Sequence, residues 1–387
     1  MNSTMSRPTG SGEFPALEAR TSSSLESRSI PVKISTTQFA KPRLAILGPL
    51  LGVNPGRVTS QGEILARLLQ QDGYSVRTAS SALNRYKRLA EIVWELISHH
   101  RDVDCLCLQT YTGLSFVVED LASRFAKLYD KRVIMHLHGG AMPDFVRRYP
   151  AWSRRVLARA DRLVTPSPYL ARCVAELGFS AHVIPNVIEL ADYPFRERSV
   201  LQPRLLWMRA FHPIYNPLMA LRVLSQLRRT HPGATLVMAG QAGELSETVR
   251  REAEALGLAD AVTFPGFLNP PAKLAAMSYA DIFINTNHID NTPVSVIEAG
   301  AMGLPIVATR IGGIADLITD RNSGLLVPDD DDLAMVDSIR SLLEDPKLAR
   351  TLSVNGRAVA AQFAWTRVRE LWYDLFDSIV ADREGAN

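Results

Sequence analysis

Apolar and polar positions follow a repeating pattern from Lys41 onward, in which short apolar runs alternate with longer amphipathic stretches. The runs have the length typical of buried strands, and the stretches between them have the apolar spacing of helices. The predicted strands are 43–48, 74–77, 103–108, 132–137, 162–165, 182–184, 204–207, 235–239, 261–264, 281–285, 305–308 and 324–327. Helices are predicted between them, in the first half near 60–72, 84–100, 114–129, 150–160 and 168–178. This alternation indicates parallel sheets that helices cover on both faces.

The pattern pauses once, at the proline-containing segment 185–195, which predicts a linker between two domains. We expect an N-terminal Rossmann-like domain over 41–190 and a second over 191–364, facing each other across a cleft. A C-terminal helix within 365–387 is expected to cross back to the first domain. Residues 1–40 are rich in Ser, Thr, Gly and Pro and lack apolar periodicity, so they are predicted to be a disordered leader.

Composition and charge are those of an ordinary globular protein. The 387 residues are 47% hydrophobic, and 43 basic against 40 acidic side chains give a net charge of +3. So small a net charge argues against a nucleic-acid partner. No apolar run approaches the ~18 residues of a membrane span, and the chain start lacks the pattern of a secretory signal. Three cysteines, Cys105, Cys107 and Cys173, are too few for a disulfide framework, which favours core thiols in a cytoplasmic protein.

A local basic row interrupts this near-neutral average. Its arginines are Arg147, Arg148, Arg154, Arg155, Arg159 and Arg162. Three of them fall on one face of a predicted helix. A solvated surface is the simpler interpretation. Peripheral contact with an anionic membrane, at its inner face, or with a phosphorylated acceptor is the alternative.

Two common phosphate-binding motifs are absent from the sequence. No segment matches the Walker pattern G-x-x-x-x-G-K-[ST], which disfavours a P-loop enzyme. The first strand leads into the loop Gly48–Gly56, whose glycine spacing differs from the fingerprint G-x-G-x-x-G, so a dehydrogenase is disfavoured too. By itself this loop is either an anion-binding backbone or a connecting turn.

One segment of the second predicted domain carries the most specific chemistry. Thr292 followed by Pro293 predicts a helix cap and first helical residue, with the helix running to about Met302. Its amino end, which Asp290 precedes, is an anion site. Glu298 lies more than one turn inside this apolar helix, so its carboxylate needs hydrogen-bond donors. Vicinal sugar hydroxyls or neighbouring backbone amides would supply them.

Asp290 and Glu298 are separated by seven residues and are followed by the pattern A-x-A-x-G-x-P-x-V-A and by Gly312–Gly313. In this arrangement they resemble the donor-binding signature of the retaining glycosyltransferases of family 4. The resemblance extends from Lys41 to about Phe376. Its other landmarks are the loop Gly48–Gly56, His138–Gly140, Pro185–Asn186, Arg209 and Gly266–Phe267. It implies a GT-B fold, in which the second domain binds a nucleotide sugar and the first mainly binds the acceptor.

The resemblance also assigns the donor site residue by residue. Glu298 would hold the ribose hydroxyls, and Gly56 with its neighbours would close over the phosphates. Two backbone segments would complete the site, one at the sugar and diphosphate and one at the base. Their residues are Asn291, Thr292, Pro293 and Val294 for the sugar and diphosphate, and Gly266, Phe267 and Leu268 for the base.

Three catalytic residues are implied in the same way. Asp290 would contact the transferred sugar, Arg209 would neutralise the diphosphate, and His138 would lie near the reacting sugar. An inverting enzyme would need a base near the acceptor hydroxyl, and His138 is the candidate. Retention instead lets the leaving phosphate accept that proton. A histidine bonded to backbone at a strand end is the structural alternative for His138, and His136 is expected to pack in the core.

Two positions depart from the family pattern. The first signature carboxylate is usually Glu, and Asp290 is one methylene shorter. The family commonly places a Lys after its Arg, whereas this chain has Tyr215 and Asn216 there. Asn216 is therefore expected in the donor site, and one diphosphate counter-charge is missing. Arg209, the helix end and the glycine-loop amides would stabilise more of the leaving charge.

The resemblance implies a retaining transferase that uses a UDP- or GDP-sugar and needs no other cofactor. No group of carboxylates and histidines has the spacing of metal ligands, so a metal-independent enzyme is predicted. The acceptor would be a glycan, a lipid or a small molecule, as in glycan, glycolipid or polysaccharide biosynthesis. Two alternatives stay open. The missing lysine suggests a non-catalytic nucleotide-sugar-binding protein, and the same architecture also hosts other enzymes, such as sugar-nucleotide epimerases and phosphorylases.

Overall fold

The structure, a computed structural model, describes residues 41–384 except the side chains of residues 114, 383 and 384. The leader predicted over 1–40 lies outside the described residues. The described chain contains two parallel six-stranded sheets. The first has the order β2-β1-β3-β4-β5-β6. Its strands are β1 (Leu44–Leu47), β2 (Val76–Ala79), β3 (Cys105–Thr110), β4 (Arg132–Leu137), β5 (Arg162–Thr165) and β6 (His182–Val183).

The second sheet has the order β12-β11-β10-β7-β8-β9. Its strands are β7 (Arg204–Met208), β8 (Thr235–Ala239), β9 (Val262–Gly266), β10 (Ile282–Asn285), β11 (Ile306–Thr309) and β12 (Leu325–Val327). The predicted fold class is confirmed, because every predicted apolar run overlaps one of these strands.

Helices connect the strands of both sheets. In the first half they are α1 (Gln61–Gln71), α2 (Arg85–His99), α3 (Phe116–Leu128), α4 (Met142–Arg148), α5 (Pro150–Leu157) and α6 (Pro168–Ala175). The helices of the second half are α7 (Pro217–Leu227), α8 (Ser246–Ala255), α9 (Pro270–Tyr279), α10 (Val294–Ala301), α11 (Ile314–Leu317), α12 (Asp332–Glu344), α13 (Pro346–Ala360) and α14 (Trp365–Glu384). None of the helices in the described part of the chain is long and apolar enough to cross a bilayer.

The core of the first half lies on both faces of its sheet. Leu106 and Leu108 of β3 pack in one cluster with Phe116, while Cys105 and Cys107 pack on the opposite face. This alternation is the two-residue period of a strand. All three cysteines are buried free thiols, which confirms the prediction of core thiols.

The helix α14 packs against the first sheet, where Trp372 shares a cluster with Ile46. Asp72 anchors it from the end of α1, accepting hydrogen bonds from Trp365 Nε1 at 2.8 Å and from the Tyr373 hydroxyl at 2.5 Å. The last helix therefore covers a face of the sheet formed by the first half of the chain.

The strand β2 begins and ends two residues later than its predicted range of 74–77. Tyr74 is buried and packs against the rings of Tyr373 and Phe376, at centroid distances of 5.6 and 5.5 Å. Because the ring belongs to the interface with α14, strand pairing starts only at Val76.

The predicted basic row is largely paired with carboxylates. Arg159 and Arg155 lie 2.5 and 3.7 Å from Asp120, and Arg162 lies 2.6 Å from Asp382. Carboxylates thus lie among the arginines of the row, which favours the interpretation of the row as an ordinary protein surface.

Candidate active site

Ligands of doubly wound sheets bind outside the carboxyl ends of the strands, where the strand order reverses. In the second sheet this point lies between β7 and β10. The strand β7 leads directly to Arg209, and β10 leads to the loop that contains Asp290. The following helix, α10, carries Glu298. The topology thus brings three predicted site residues to one edge of the sheet.

Glu298 is buried and pairs with side chains, not with the backbone amides considered from the sequence. Its Oε1 accepts hydrogen bonds from Lys273 Nζ and from the Tyr193 hydroxyl, both at 2.6 Å. Burial, and then the charge of Glu298, raise the pKa of Tyr193, so its hydroxyl stays protonated and donates. No described residue donates to Oε2 of Glu298, which leaves this oxygen available to a ligand hydroxyl.

Asp290 holds the guanidinium of Arg209 in an ion pair through Oδ2. The same oxygen accepts a hydrogen bond from Asn287 Nδ2 at 2.6 Å, while Oδ1 accepts from the Asn291 amide at 2.8 Å. Arg209 also lies over the ring of Tyr215, 4.5 Å from its centroid. Burial lowers the pKa of Arg209, but a guanidinium remains charged at any pH at which proteins are folded. Its buried Nε has no partner among the described residues and remains a donor for an incoming anion.

The predicted cap of α10 is wrong. The helix begins at Val294, and Pro293 occupies the cap position with extended backbone and no side-chain cap. The hydroxyl of Thr292 donates instead to the Pro166 carbonyl at 3.4 Å. The amino end therefore keeps uncapped backbone N–H groups, which suit an anion.

Two residues of the predicted donor segment contact the first half of the chain. Asn291 Oδ1 accepts a hydrogen bond from the Ser167 hydroxyl, and the Thr292 carbonyl accepts one from Asn186 Nδ2 at 3.2 Å. These bonds fix the loop before α10 against the first sheet's loops.

The segment predicted to border the base ends β9 and enters α9. Gly266 has a φ of +75°, in the left-handed region that glycine adopts without strain. Phe267 is 37% exposed, whereas Leu268 packs against a core cluster. Lys273 follows in α9 and pairs with Glu298. A base beside Phe267 would therefore adjoin a ribose at Glu298.

Asn216, at the position of the missing lysine, has its side chain engaged within the protein. Its Nδ2 donates to Asp330 Oδ1 at 2.9 Å, and its Oδ1 caps α7 by accepting from the Met219 amide at 3.3 Å. Its contact with a donor stays a prediction, and the side chain brings no positive charge to the site.

His138 follows β4 and is 6% exposed. Its Nε2 donates to Gln109 Oε1 at 2.9 Å, and its ring stacks on Tyr111 at a centroid distance of 5.0 Å. The partner is a side chain, not the backbone considered from the sequence. Burial lowers the pKa of His138 to about 3, so the imidazole is neutral at physiological pH. With the proton on Nε2, Nδ1 is the nitrogen that can accept a hydrogen bond.

The loop after His138 touches the loop that carries Asp290. A Cβ built on Gly140 would lie only 2.9 Å from Asp290 Cα, so this approach requires glycine. The structure thereby brings the His138 loop to the ion pair of Asp290 and Arg209.

The glycine-rich loop after β1 reaches the second sheet. Gly56, with a φ of +71°, accepts a hydrogen bond through its carbonyl from Gln241 Nε2 at 2.8 Å. Gln241 follows β8, whose last residue, Ala239, accepts from the Arg209 amide at 3.1 Å. The neighbouring Arg57 is exposed, and no described carboxylate pairs with it.

Because of the buried residues His136 and His138, the folded protein is expected to lose stability in acid. The two rings lie 4.1 Å apart, and both nitrogens of His136 lack a described partner. Burial lowers both pKa values, to about 3 for His138 and well below the ordinary 6.5 for His136. The unfolded chain therefore binds these protons below pH 6.5 while the folded chain does not. Folded stability should fall by about 1.4 kcal/mol per pH unit for each histidine.

We expect His136→Phe to remove one such contribution. Its loss of unfolding free energy between pH 7 and pH 5, measured by denaturant titration, should be smaller than the wild-type loss by about 2 kcal/mol. An unchanged pH dependence would contradict the assignment of a neutral buried imidazole at position 136.

Two family profiles match consecutive parts of the chain. The profile described as Glycosyltransferase Family 4 matches residues 59–192, and the one described as Glycosyl transferases group 1 matches residues 196–359. The second range contains both signature carboxylates. The chain belongs to the group 1 and family 4 glycosyltransferases. The resemblance inferred from Asp290 and Glu298 is thereby confirmed.

Curated relatives of this chain match part of its length. The D-inositol 3-phosphate glycosyltransferase of Acidothermus cellulolyticus is 30% identical over 60% of this chain and 56% of its own length. The glycogen synthase of Mycobacterium tuberculosis is 27% identical over 65% of this chain and 64% of its own length. The chain thus spans between about half and two thirds of the length of these relatives.

Solved structures match more of this chain. Sucrose-phosphate synthase from Thermosynechococcus elongatus has a TM-score of 0.72 at 17% identity, covering 88% of this chain and 100% of its own. Anabaena HepE, in complex with UDP and glucose, has a TM-score of 0.71 at 16% identity, covering 87% and 100%. At these identities the likeness shows the fold alone, and both support the two-sheet GT-B arrangement.

Three side chains at the candidate site were not predicted from the sequence. Lys273 and Tyr193 hold Glu298, and Gln109 orients His138. Lys273 could have been predicted from the sequence. It is a cation in the first turn after β9, and so it lies at the same carboxyl edge of the sheet as Asp290 and Glu298. Tyr193 comes from the linker, and no local pattern marks it.

Proposed function

We propose that this chain transfers a sugar from a nucleoside diphosphate sugar to an acceptor hydroxyl, with retention of the anomeric configuration and without a metal ion. The donor would be a UDP- or GDP-sugar, and the product a glycan, glycolipid or polysaccharide precursor. One observation carries the proposal: both signature carboxylates are paired with cations, Arg209 and Lys273, at one sheet edge opposite His138. The names of the relatives support sugar transfer, and the UDP and glucose in the HepE complex support a nucleoside diphosphate sugar as the donor.

The proposed reaction breaks the bond between the anomeric carbon and the diphosphate oxygen, and both bonding electrons leave with the nucleoside diphosphate. The acceptor oxygen attacks the oxocarbenium-like carbon from the face that the leaving group vacates. The acceptor proton passes to the leaving diphosphate oxygen, so no side-chain base is required. Arg209 and the uncapped end of α10 stabilise the developing charge.

Neutral His138 is suited to position the transferred sugar in this reaction. Because its Nε2 donates to Gln109, Nδ1 is free to accept a hydrogen bond from a hydroxyl of the transferred sugar. An imidazole with a pKa of about 3 neither gives nor takes a proton near pH 7.

The donor site is electrically balanced before a ligand binds, since two carboxylates neutralise two cations. A diphosphate adds negative charge that needs further cations. Arg57 is suited to supply one, because it is exposed, lacks a described ion-pair partner and follows the glycine that contacts Gln241. The guanidinium of Arg57 would then supply the positive charge that the uncharged Asn216 does not provide.

Arg57→Ala is therefore expected to lower kcat/KM for the donor roughly tenfold, the loss expected for one screened charge contact. Arg57→Lys should recover most of the activity, since it keeps the charge. Steady-state kinetics at low and high salt measure both variants, and the difference should shrink at high salt. Equal kcat/KM for wild type and Arg57→Ala at low salt would rule out this part for Arg57.

Incubation with a panel of UDP-, GDP- and ADP-sugars tests the proposed function. Slow release of nucleoside diphosphate from one donor, stimulated by an acceptor, is the expected result. An epimerised nucleotide sugar would instead identify an epimerase. Binding of a nucleotide sugar with no turnover on any acceptor would identify a binding protein, the alternative that the uncharged Asn216 favours. A chelator should leave the release unchanged.

Peripheral contact with an anionic membrane stays a prediction. Within the basic row, Arg148 and Arg154 are the arginines without a described carboxylate partner, so any such contact would depend on them.

A further inference from the structure

The first sheet carries a cavity of about 620 Å³ that the donor site does not use. It opens between the end of β1, the start of α2 and the start of α3. Its lining includes Gly48, Arg85, Arg88 and Glu119. This volume lies in the range of sites for small organic ligands.

Glu119 is a buried carboxyl group in this lining, with 2% exposure. Burial raises the pKa of this carboxyl group well above its ordinary value, and Oε2 has no described partner. A buried oxygen without a partner is unfavourable unless a ligand supplies one. A hydroxyl fits, because it can donate to a carboxylate or accept from a carboxylic acid.

Arg85 and Arg88 contribute positive charge to the same cavity. Both lie in the first turn of α2, which contains no acidic residue. Cations are unfavourable at the positive end of a helix dipole, and each repels the other. No described carboxylate lies within ion-pair distance of either guanidinium. The arrangement therefore favours an anion between them and the helix end.

The cavity adjoins the reacting centre through Gly48, which lines it. A Cβ built on Gly48 would lie 2.7 Å from Gln109 Cβ, and Gln109 accepts the hydrogen bond from His138. A ligand in the cavity therefore lies beside the residue placed near the transferred sugar.

We propose that this cavity binds the acceptor, and that the acceptor is an anionic polyol, with its phosphate or carboxylate on Arg85 and Arg88 and a hydroxyl on Glu119. The assignment of this ligand as acceptor rests on the proposed function.

Calorimetric titration of the full chain with a bound nucleoside diphosphate tests the proposal. The probes are glucose 6-phosphate, glucuronate, glucose and inorganic phosphate. We expect the first two to bind measurably, and glucose and phosphate to bind roughly tenfold more weakly or not at all, because each lacks one of the two recognised groups. Vesicles that contain phosphatidylglycerol present the same chemistry on a lipid. Tighter binding to them would identify a lipid-linked source, and binding to the free probes alone a free one.

Variants locate the site. The double variant Arg85→Gln and Arg88→Gln should weaken binding of both anionic probes roughly tenfold or more, and Glu119→Gln should weaken binding of the sugar probes. Lys87→Gln is the matched control, because Lys87 lies in the same turn but outside the cavity lining. Thermal melting establishes that each variant is folded.

Probe binding and nucleotide-sugar turnover together distinguish a failure of the proposed anionic-polyol site from a failure of the proposed function. Equal affinity for glucose and glucose 6-phosphate, or unchanged affinity in the arginine variant, would overturn the inference even if nucleoside diphosphate release is observed. Binding of the anionic polyols that depends on both arginines, without turnover of any nucleotide sugar, would uphold the site and overturn the proposed function.

Discussion

Glu298→Ala is expected to abolish measurable binding of the nucleotide sugar. The carboxylate is proposed to accept hydrogen bonds from both ribose hydroxyls, and hydrogen bonds to a charged group contribute about 1.5–3 kcal/mol each. Loss of two such bonds weakens binding by roughly 100-fold or more. The substitution also leaves Lys273 without the carboxylate that lies 2.6 Å away. Isothermal titration with the donor selected by the sugar panel measures the effect.

Asp281→Ala provides the matched control. Asp281 is also a buried carboxylate of the second sheet, paired with Arg204 at 2.6 Å and with Arg196 at 3.1 Å, but it precedes β10 at the opposite edge. Both variants should lower the melting temperature, because each removes a buried carboxylate that is paired with neighbouring cations. Only Glu298→Ala should lose the donor. Wild-type donor affinity in a folded Glu298→Ala variant would contradict the assignment of the ribose site.

Asp290→Asn is expected to separate binding from turnover. The substitution removes the charge that holds Arg209, so the guanidinium becomes more available to a diphosphate, and nucleoside diphosphate affinity should stay equal or increase. The sugar loses its charged contact in the transition state, so kcat should fall roughly 100-fold or more. Calorimetry with the nucleoside diphosphate and turnover kinetics with the donor measure the two effects.

Asp316→Asn is the control for this variant. Asp316 pairs with Arg172 at 2.9 Å across the same side of the two sheets, but it lies outside the proposed site. Its loss should leave kcat near the wild-type value, because an exposed ion pair contributes little. An Asp290→Asn enzyme with wild-type kcat would remove Asp290 from the proposed reaction.

The strands of both sheets were predictable because the apolar runs that form them are local features of the sequence. Each apolar run forms a strand, and each sheet reverses its strand order at one place, between β1 and β3 in the first and between β7 and β10 in the second. The displacement of β2 has a non-local cause. Tyr74 fits a strand by composition, but α14, almost 300 residues later, supplies Tyr373 and covers the ring.

The candidate site was predictable only in part. The spacing of Asp290 and Glu298 marks them, and the order of the strands then places Arg209 beside them. Their partners are not marked in this way, because Tyr193 and Lys273 reach Glu298 from a linker and from another helix. The same limit applies to Thr292, whose hydroxyl turns from the expected helix cap to a carbonyl of the first half.

The charge balance of the donor site also follows only from the structure. The sequence predicts one missing cation at Asn216. The structure adds that Arg209 and Lys273 are already paired with Asp290 and Glu298. A bound diphosphate must therefore compete with carboxylates or recruit a cation from the glycine-rich loop.

A crystal structure with the bound nucleoside diphosphate selected by calorimetry would show whether Glu298 and Arg209 form the donor site. We expect both ribose hydroxyls within hydrogen-bond distance of Glu298 and the diphosphate between Arg209 and the amino end of α10. A nucleotide that binds elsewhere, or that touches neither Glu298 nor Arg209, would contradict it.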